Sequence, residues 1–267
     1  MKYQVYQGHC IRKRFGQNFL KNQYYINEII HAINPQYDEL LLEIGPGLGA
    51  LTHKVGKKVT NLVVVEIDRD LALYLKNHPT LGPKLIVFQQ DILTFDFKDF
   101  SKKQGQLLRV FGNLPYNIST PLLFSLFTQI SVLQDMHLML QKEVANRLIA
   151  KPGNKNYGRL SVMAQYYCHI TPIITIPSIA FIPSPKVEST MVRFLPREKR
   201  YHSTFSTQAL YRITTAAFGQ RRKTLRNSLC KFFSDEALLS INISPTLRAE
   251  DVTIRQYCQL TNLWISQ

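Results

Sequence analysis

With 267 residues, 45% of them hydrophobic, the chain can bury a full core in one large α/β domain and a smaller partner, which argues against a disordered polymer. Its 33 Lys and Arg against 18 Asp and Glu give a formal charge of +15, pointing to a polyanionic partner: nucleic acid first, a membrane headgroup surface or a merely basic exterior as alternatives. The absence of an apolar run of about 18 residues argues against a membrane-spanning protein.

In chain order, no acid precedes Glu28, as in a transit peptide, yet a secretory apolar segment is missing and residues 12–20 form a motif, so no targeting segment is assigned. Apolar residues at Tyr25, Ile26, Ile29, Ile30 and Ile33 predict a helix over 22–33. Strand-length apolar runs follow at Leu40–Ile44, Leu62–Val65, Leu85–Phe88, Leu107–Phe111 and Met136–Leu140, spaced for intervening helices. Such alternation predicts a Rossmann-like α/β domain with a parallel sheet. Ile173–Ile176 and Thr190–Phe194 are expected to close that sheet as an antiparallel hairpin. Polar residues 196–206 read as a linker, and Thr207 onward as a small all-helical domain, so the expected division is 1–200 and 201–267. Cys10, Cys168, Cys230 and Cys258 are widely spaced, which favours free thiols in the cytoplasm over a zinc site or disulfides.

The first strand runs into Gly45, Gly47 and Gly49, glycines that permit a tight turn and close approach of a nucleotide-like ligand over strand C-termini. Glu66, ending the second strand, is placed to accept hydrogen bonds from a ribose diol. The same run satisfies the dinucleotide fingerprint of NAD enzymes, so alone it leaves the two readings even. Asp91, after the third strand, shifts the balance because an acid there can bind the amino group of a cofactor adenine; its alternative is an ordinary helix cap. Glu43 is left unassigned.

Downstream lies Gly112-Asn113-Leu114-Pro115-Tyr116-Asn117. An exocyclic adenine nitrogen is a poor nucleophile because its lone pair is delocalised. The Asn113 side-chain carbonyl and the Leu114 backbone carbonyl can accept from its two N–H groups, stabilising the charge that develops on methyl transfer. Pro115 stiffens the turn and Tyr116 offers a stacking face. No strong base is needed, since the methylated amine is acidic. The plain alternative is a strand-to-helix turn, which loses weight behind the glycine motif. Phe181, ahead of Pro183 and Pro185, is a candidate second wall of the base pocket, with core packing as the commoner fate of a Phe.

These segments, together with Arg14-Phe15-Gly16-Gln17-Asn18-Phe19-Leu20, Phe181–Val187 and Ala217–Arg226, make the chain resemble the ribosomal RNA adenine N6,N6-dimethyltransferases, specifically the bacterial small-subunit branch, almost end to end. The resemblance implies S-adenosylmethionine as donor, cofactor contacts at Asn18, Leu20, Gly45, Glu66, Asp91 and Asn113, and four methyl transfers to two adjacent adenines near the 3′ end of small-subunit (16S) rRNA, late in assembly. A cytoplasmic monomer without membrane attachment is expected. Arg221, Arg222, Lys223 and Arg226 are read as phosphate contacts at the end of one helix, Arg222 and Arg226 sharing a face, against the alternative of a solvated charge run. Arg12, Lys13, Arg14, Arg147 and Lys186 are weaker candidates. Competing readings are a large-subunit adenine methyltransferase of the macrolide-resistance type, an assembly factor that binds without turnover and, remotely, an NAD oxidoreductase; Tyr116 and the basic C-terminal segment favour the small subunit.

Overall fold

The computed structural model describes residues 4–198 and 206–266. Its main sheet has seven strands: β1 Leu40–Ile44, β2 Leu62–Glu66, β3 Leu85–Gln89, β4 Leu108–Asn113, β5 Leu133–Gln141, β6 Cys168–Ile176 and β7 Ser189–Pro196, in the order β3-β2-β1-β4-β5-β7-β6. The ladders from β3 to β5 are parallel, whereas β7 pairs antiparallel with β5. Every residue of β1 and β2 is buried, which is why their sequences, LLLEI and LVVVE, show no polar alternation. By contrast, β3 lies at the edge and is only partly covered.

The chain winds outward from β1 to β3 and then returns to β1's other side as β4. This reversal opens a crevice at the C-terminal ends of β1 and β4, where open α/β sheets bind ligands. Gly112 lets those two strands meet: a Cβ there would lie 2.4 Å from the Ile44 carbonyl oxygen.

The helix Gln23–Ile33 starts where Asn22 accepts from the Tyr24 N–H at 2.9 Å and ends at Asn34, whose left-handed φ of 45° stops it. Its Ile26, Ile29, Ile30 and Ile33 recur at helical spacing and enter the core beside Leu41, Val64 and Phe111. At the end of the sheet away from the glycines, Arg109 donates to both carboxylate oxygens of Asp135 at 2.9 Å, to Glu39 at 2.6 Å and to the Ile33 carbonyl at 2.7 Å. With Asp135 only 3% exposed, Arg109→Ala strands a buried carboxylate and is expected to lower unfolding free energy by about 3–5 kcal/mol. Urea denaturation measures this, and a loss below about 1 kcal/mol would contradict the network's role.

The described residues divide into two compact units, one of residues up to 145 plus 171–196, the other of 146–170 plus 197 onward. The boundary expected after residue 200, and most of the expected linker, fall in 199–205, outside the described residues. Residues 146–170, expected in the first domain, group with the second. Within that second unit Tyr157 donates to the Val252 carbonyl at 3.0 Å and its ring lies 6.1 Å from Phe218, contacts too distant in sequence for periodicity to reveal. The unit is helical as expected, built on Arg159–Tyr167, Thr207–Gly219 and Ile254–Ile265, the last opened by a Thr253–Gln256 capping box.

Candidate active site

A cavity of about 380 Å³ opens at the C-terminal ends of β1, β2 and β4. Gly45, Gly47, Glu66 and Asp91 line it, as do Asn18, Leu20 and the whole turn Asn113–Tyr116. Nearly all the residues expected to touch cofactor or base therefore converge on one space.

The glycine run turns through positive φ at Gly45 (61°), Gly47 (58°) and Gly49 (83°). At Gly47 space matters as well, since a Cβ would meet the Phe19 ring at 2.9 Å. Glu66, 5% exposed, accepts from the Gly47 N–H at 3.1 Å and the Asp68 N–H at 2.9 Å, so the acid and the glycine turn hold each other in place. Burial raises its pKa, partly opposed by those two N–H groups. Asp91 caps the next turn, one carboxylate oxygen accepting from the Leu93 N–H at 2.9 Å, and it also lines the cavity.

Glu43 also lines the cavity, accepting from the Thr52 hydroxyl at 2.7 Å. Burial pushes its pKa up to about 8, against the Thr52 hydrogen bond and helped by the nearby Glu66. Between the ordinary value of 4.5 and about 8 the folded chain holds a proton that the unfolded chain has released, so stability falls as pH rises through that window and levels off above it. Glu43→Gln, neutral throughout, should flatten that fall, on the order of a few kcal/mol in urea titrations from acid to alkaline pH. An equally steep fall in the variant would contradict the assignment.

At the end of β4, Asn113 donates its side-chain amide to the Asn18 backbone carbonyl at 2.8 Å. A carbonyl only accepts, so this bond fixes the amide's orientation and leaves Oδ1 as an acceptor at the cavity. The Leu114 N–H bonds the Met139 carbonyl at 3.2 Å, anchoring the following peptide on β5. Tyr116 is half-buried, its hydroxyl 2.7 Å from the Ser189 hydroxyl, which pins the ring; burial raises its pKa.

Phe181 departs from expectation. It is 1% exposed, pairs antiparallel with Leu20, packs in the core with Ile176 and Met191, and lies outside the cavity lining. Its place beside Leu20 packs it in the core against the cofactor segment.

The basic cluster departs too. The helix from Thr207 ends at Gly219, and a new short helix begins at Leu225, so Arg222 and Arg226 share no helical face. Arg221 is engaged with Glu250 and the Lys155 carbonyl, and Arg226 with Asp235 at 2.5 Å. Arg222 and Lys223 are exposed, and among the described residues no acidic side chain holds them. Arg12, a weaker candidate, is likewise ion-paired, with Asp68 and Asp70.

Sequence reasoning missed Gln17, Ser189 and the cavity contribution of Tyr6 and Phe19, whose rings stack 6.0 Å apart; only the aromatic, Gly-containing composition of residues 3–19 hinted at it.

Residues 8–266 match the ribosomal RNA adenine dimethylase family. The chain belongs to that family. It is 58% identical over 266 residues to Ribosomal RNA small subunit methyltransferase A of Erwinia tasmaniensis, covering 100% of this chain and 97% of the relative. It is 56% identical over 262 residues to the protein of the same name from Escherichia coli, covering 98% and 96%. In fold it is similar to a dimethyladenosine transferase from Plasmodium falciparum, with a TM-score of 0.74, 24% identity and coverage of 91% and 95%. It is also similar to the 23S rRNA methyltransferase ErmE, at 0.70, 21%, 92% and 99%. The chain is thus an S-adenosylmethionine-dependent rRNA adenine dimethyltransferase with the Rossmann-like fold expected of it. The glycine turn, the buried acceptor Glu66 and Asp91 on one cavity fit that cofactor. Among the described residues no helix is long and apolar enough to cross a membrane.

Proposed function

We propose that this chain dimethylates N6 of two adjacent adenines in the 3′-terminal hairpin loop of small-subunit (16S) rRNA, late in subunit assembly, acting as a cytoplasmic monomer. The observation that carries this reading is the Asn113 amide, locked with its oxygen at a cavity that also holds the glycine turn and Glu66. When bound, S-adenosylmethionine would be held by Asn18, Leu20, Gly45, Gly47, Glu66, Asp91 and Asn113 and would supply an electrophilic methyl group on a sulfonium sulfur.

The chain's own residues prepare the nucleophile. Asn113 Oδ1 and the Leu114 carbonyl accept from the two N–H groups of adenine N6, which concentrates its lone pair outside the ring plane and stabilises the charge that grows on nitrogen. Pro115 holds that turn, and Tyr116, tethered to Ser189, provides the face on which an extruded base rests. Water takes the proton lost after each transfer. The 56–58% identity to proteins named for the small subunit supports that particle over the large one.

RNA binding is assigned chiefly to Arg222 and Lys223, with Arg221 and Arg226 reaching phosphate only by exchanging an acidic partner. The double variant Arg222→Ala/Lys223→Ala should weaken binding of small-subunit particles and reduce the slope of log affinity against log salt by about 1–2. An unchanged slope, read by filter binding from low to moderate salt, would move the phosphate contact elsewhere.

The function is tested by offering undermethylated small and large ribosomal subunits with S-adenosylmethionine labelled in its methyl group. Label entering small subunits is expected. Entry into large subunits would select the resistance-type reaction, and entry into neither, with cofactor bound, an assembly factor that acts by binding.

A further inference from the structure

The catalytic amide of Asn113 is oriented by a single backbone carbonyl, that of Asn18, so whatever holds Asn18 governs the acceptor. Asn18 belongs to the strap of residues 14–20 that lines the cavity. The strap is fastened one residue away, at Gln17. The Gln17 side-chain carbonyl accepts from the Arg12 N–H at 2.7 Å and lies 3.3 Å from His9 Nε2, while its amide donates to Asp68 at 2.8 Å. Arg12 donates to the other Asp68 oxygen at 2.6 Å. Asp68 is wholly buried, and its own N–H donates to Glu66, the proposed ribose acceptor. Asp68 therefore ties the strap, through its carboxylate, to the cofactor acid, through its backbone N–H, and the strap ties the cofactor site to the acceptor of the methylated amine.

We propose that Gln17 and Asp68 are positioning residues of the methyl transfer, forming a latch that keeps the Asn18 carbonyl against Asn113 so that the amide presents oxygen, not nitrogen, to the substrate amine. Released, the amide is free to flip, and its N–H groups then face the N–H groups of the adenine, an arrangement that opposes reaction. The inference rests on the reading of Asn113 as the acceptor.

The test reverses the latch. Gln17→Glu sets two carboxylates against each other, whereas Gln17→Glu combined with Asp68→Asn restores an N–H···O bond in the opposite direction. For Gln17→Glu, kcat on undermethylated small subunits should fall about tenfold or more. In the cofactor-free protein, the Asn113 side-chain amide protons, assigned by their loss in Asn113→Asp, should exchange faster by NMR. The double variant should recover kcat to within about threefold of wild type and regain amide protection. Gln17→Met, which removes all three side-chain contacts without adding charge, gives the same loss if Gln17→Glu does not fold. Single variants within about twofold of wild type in kcat overturn the latch, as does a double variant no better than Gln17→Glu. Asn113→Ala in the same assay separates the two readings: full turnover there would sink the acceptor assignment itself, whereas a dead Asn113→Ala beside a fully active Gln17→Glu would sink the latch alone.

Discussion

Asn113→Ala is expected to lower kcat by about 10²–10³-fold, the cost of removing one preorganised partner from a charge-developing transition state. Affinity for S-adenosylhomocysteine should change by no more than about threefold, because the glycine turn, Glu66 and Asp91 are untouched. Such a split follows from geometry: the Asn113 amide group is occupied by the Asn18 carbonyl, leaving Oδ1 for the substrate. Asn113→Asp is a sharper version. Its carboxylate keeps the acceptor but cannot donate to Asn18, so it should turn over slowly despite near-isosteric shape. Single-turnover kinetics with titration calorimetry separate the two quantities; equal losses in both would contradict the acceptor role and make cofactor binding the main role of Asn113.

Glu66→Ala should do the reverse. Losing a charged acceptor that serves two hydroxyl donors is expected to weaken cofactor binding by roughly 10²-fold, while kcat at saturation stays within about threefold. The variant should also lose about 1–3 kcal/mol of stability for each N–H it orphans, at Gly47 and Asp68. Because burial raises the Glu66 pKa, and the charged form is the better acceptor, cofactor affinity in the wild type should begin to drop on acidification at a pH above the ordinary carboxylate range. Calorimetry across pH checks both statements. Unchanged affinity in Glu66→Ala would place the ribose contact on another residue.

The sheet and the cofactor crevice were legible because buried parallel strands are continuous apolar runs and because Gly45, Gly47 and Gly49 announce a turn needing positive φ. Asn113 was legible as a polar residue ending a strand at that crevice. Phe181 was not, since its orientation is decided by a two-residue pairing with Phe19 and Leu20 across some 160 residues of chain. The helix break at 220–224 was hidden for a similar reason. Arg221, Arg222, Lys223 and Arg226 read as the end of one helix, yet Thr224 bridges to Arg248 and the Leu225 N–H bonds the Leu247 carbonyl, contacts that reward leaving the helix. The latch joins residues 51 to 56 positions apart, a relation that no local spacing records. What periodicity and motif chemistry convey is the path of the backbone and the types of donor present; which polar partner each donor finds is a tertiary outcome.

The most direct test of the central claim is the chemical identity and position of the methyl groups that the purified protein adds to undermethylated small subunits, read by mass spectrometry of nuclease fragments. Two adjacent N6,N6-dimethyladenosines in the 3′-terminal hairpin loop are the expected product. Methylation on a ring carbon, a ribose or the large-subunit RNA would contradict an acceptor site built to localise the lone pair of an exocyclic amine on that loop.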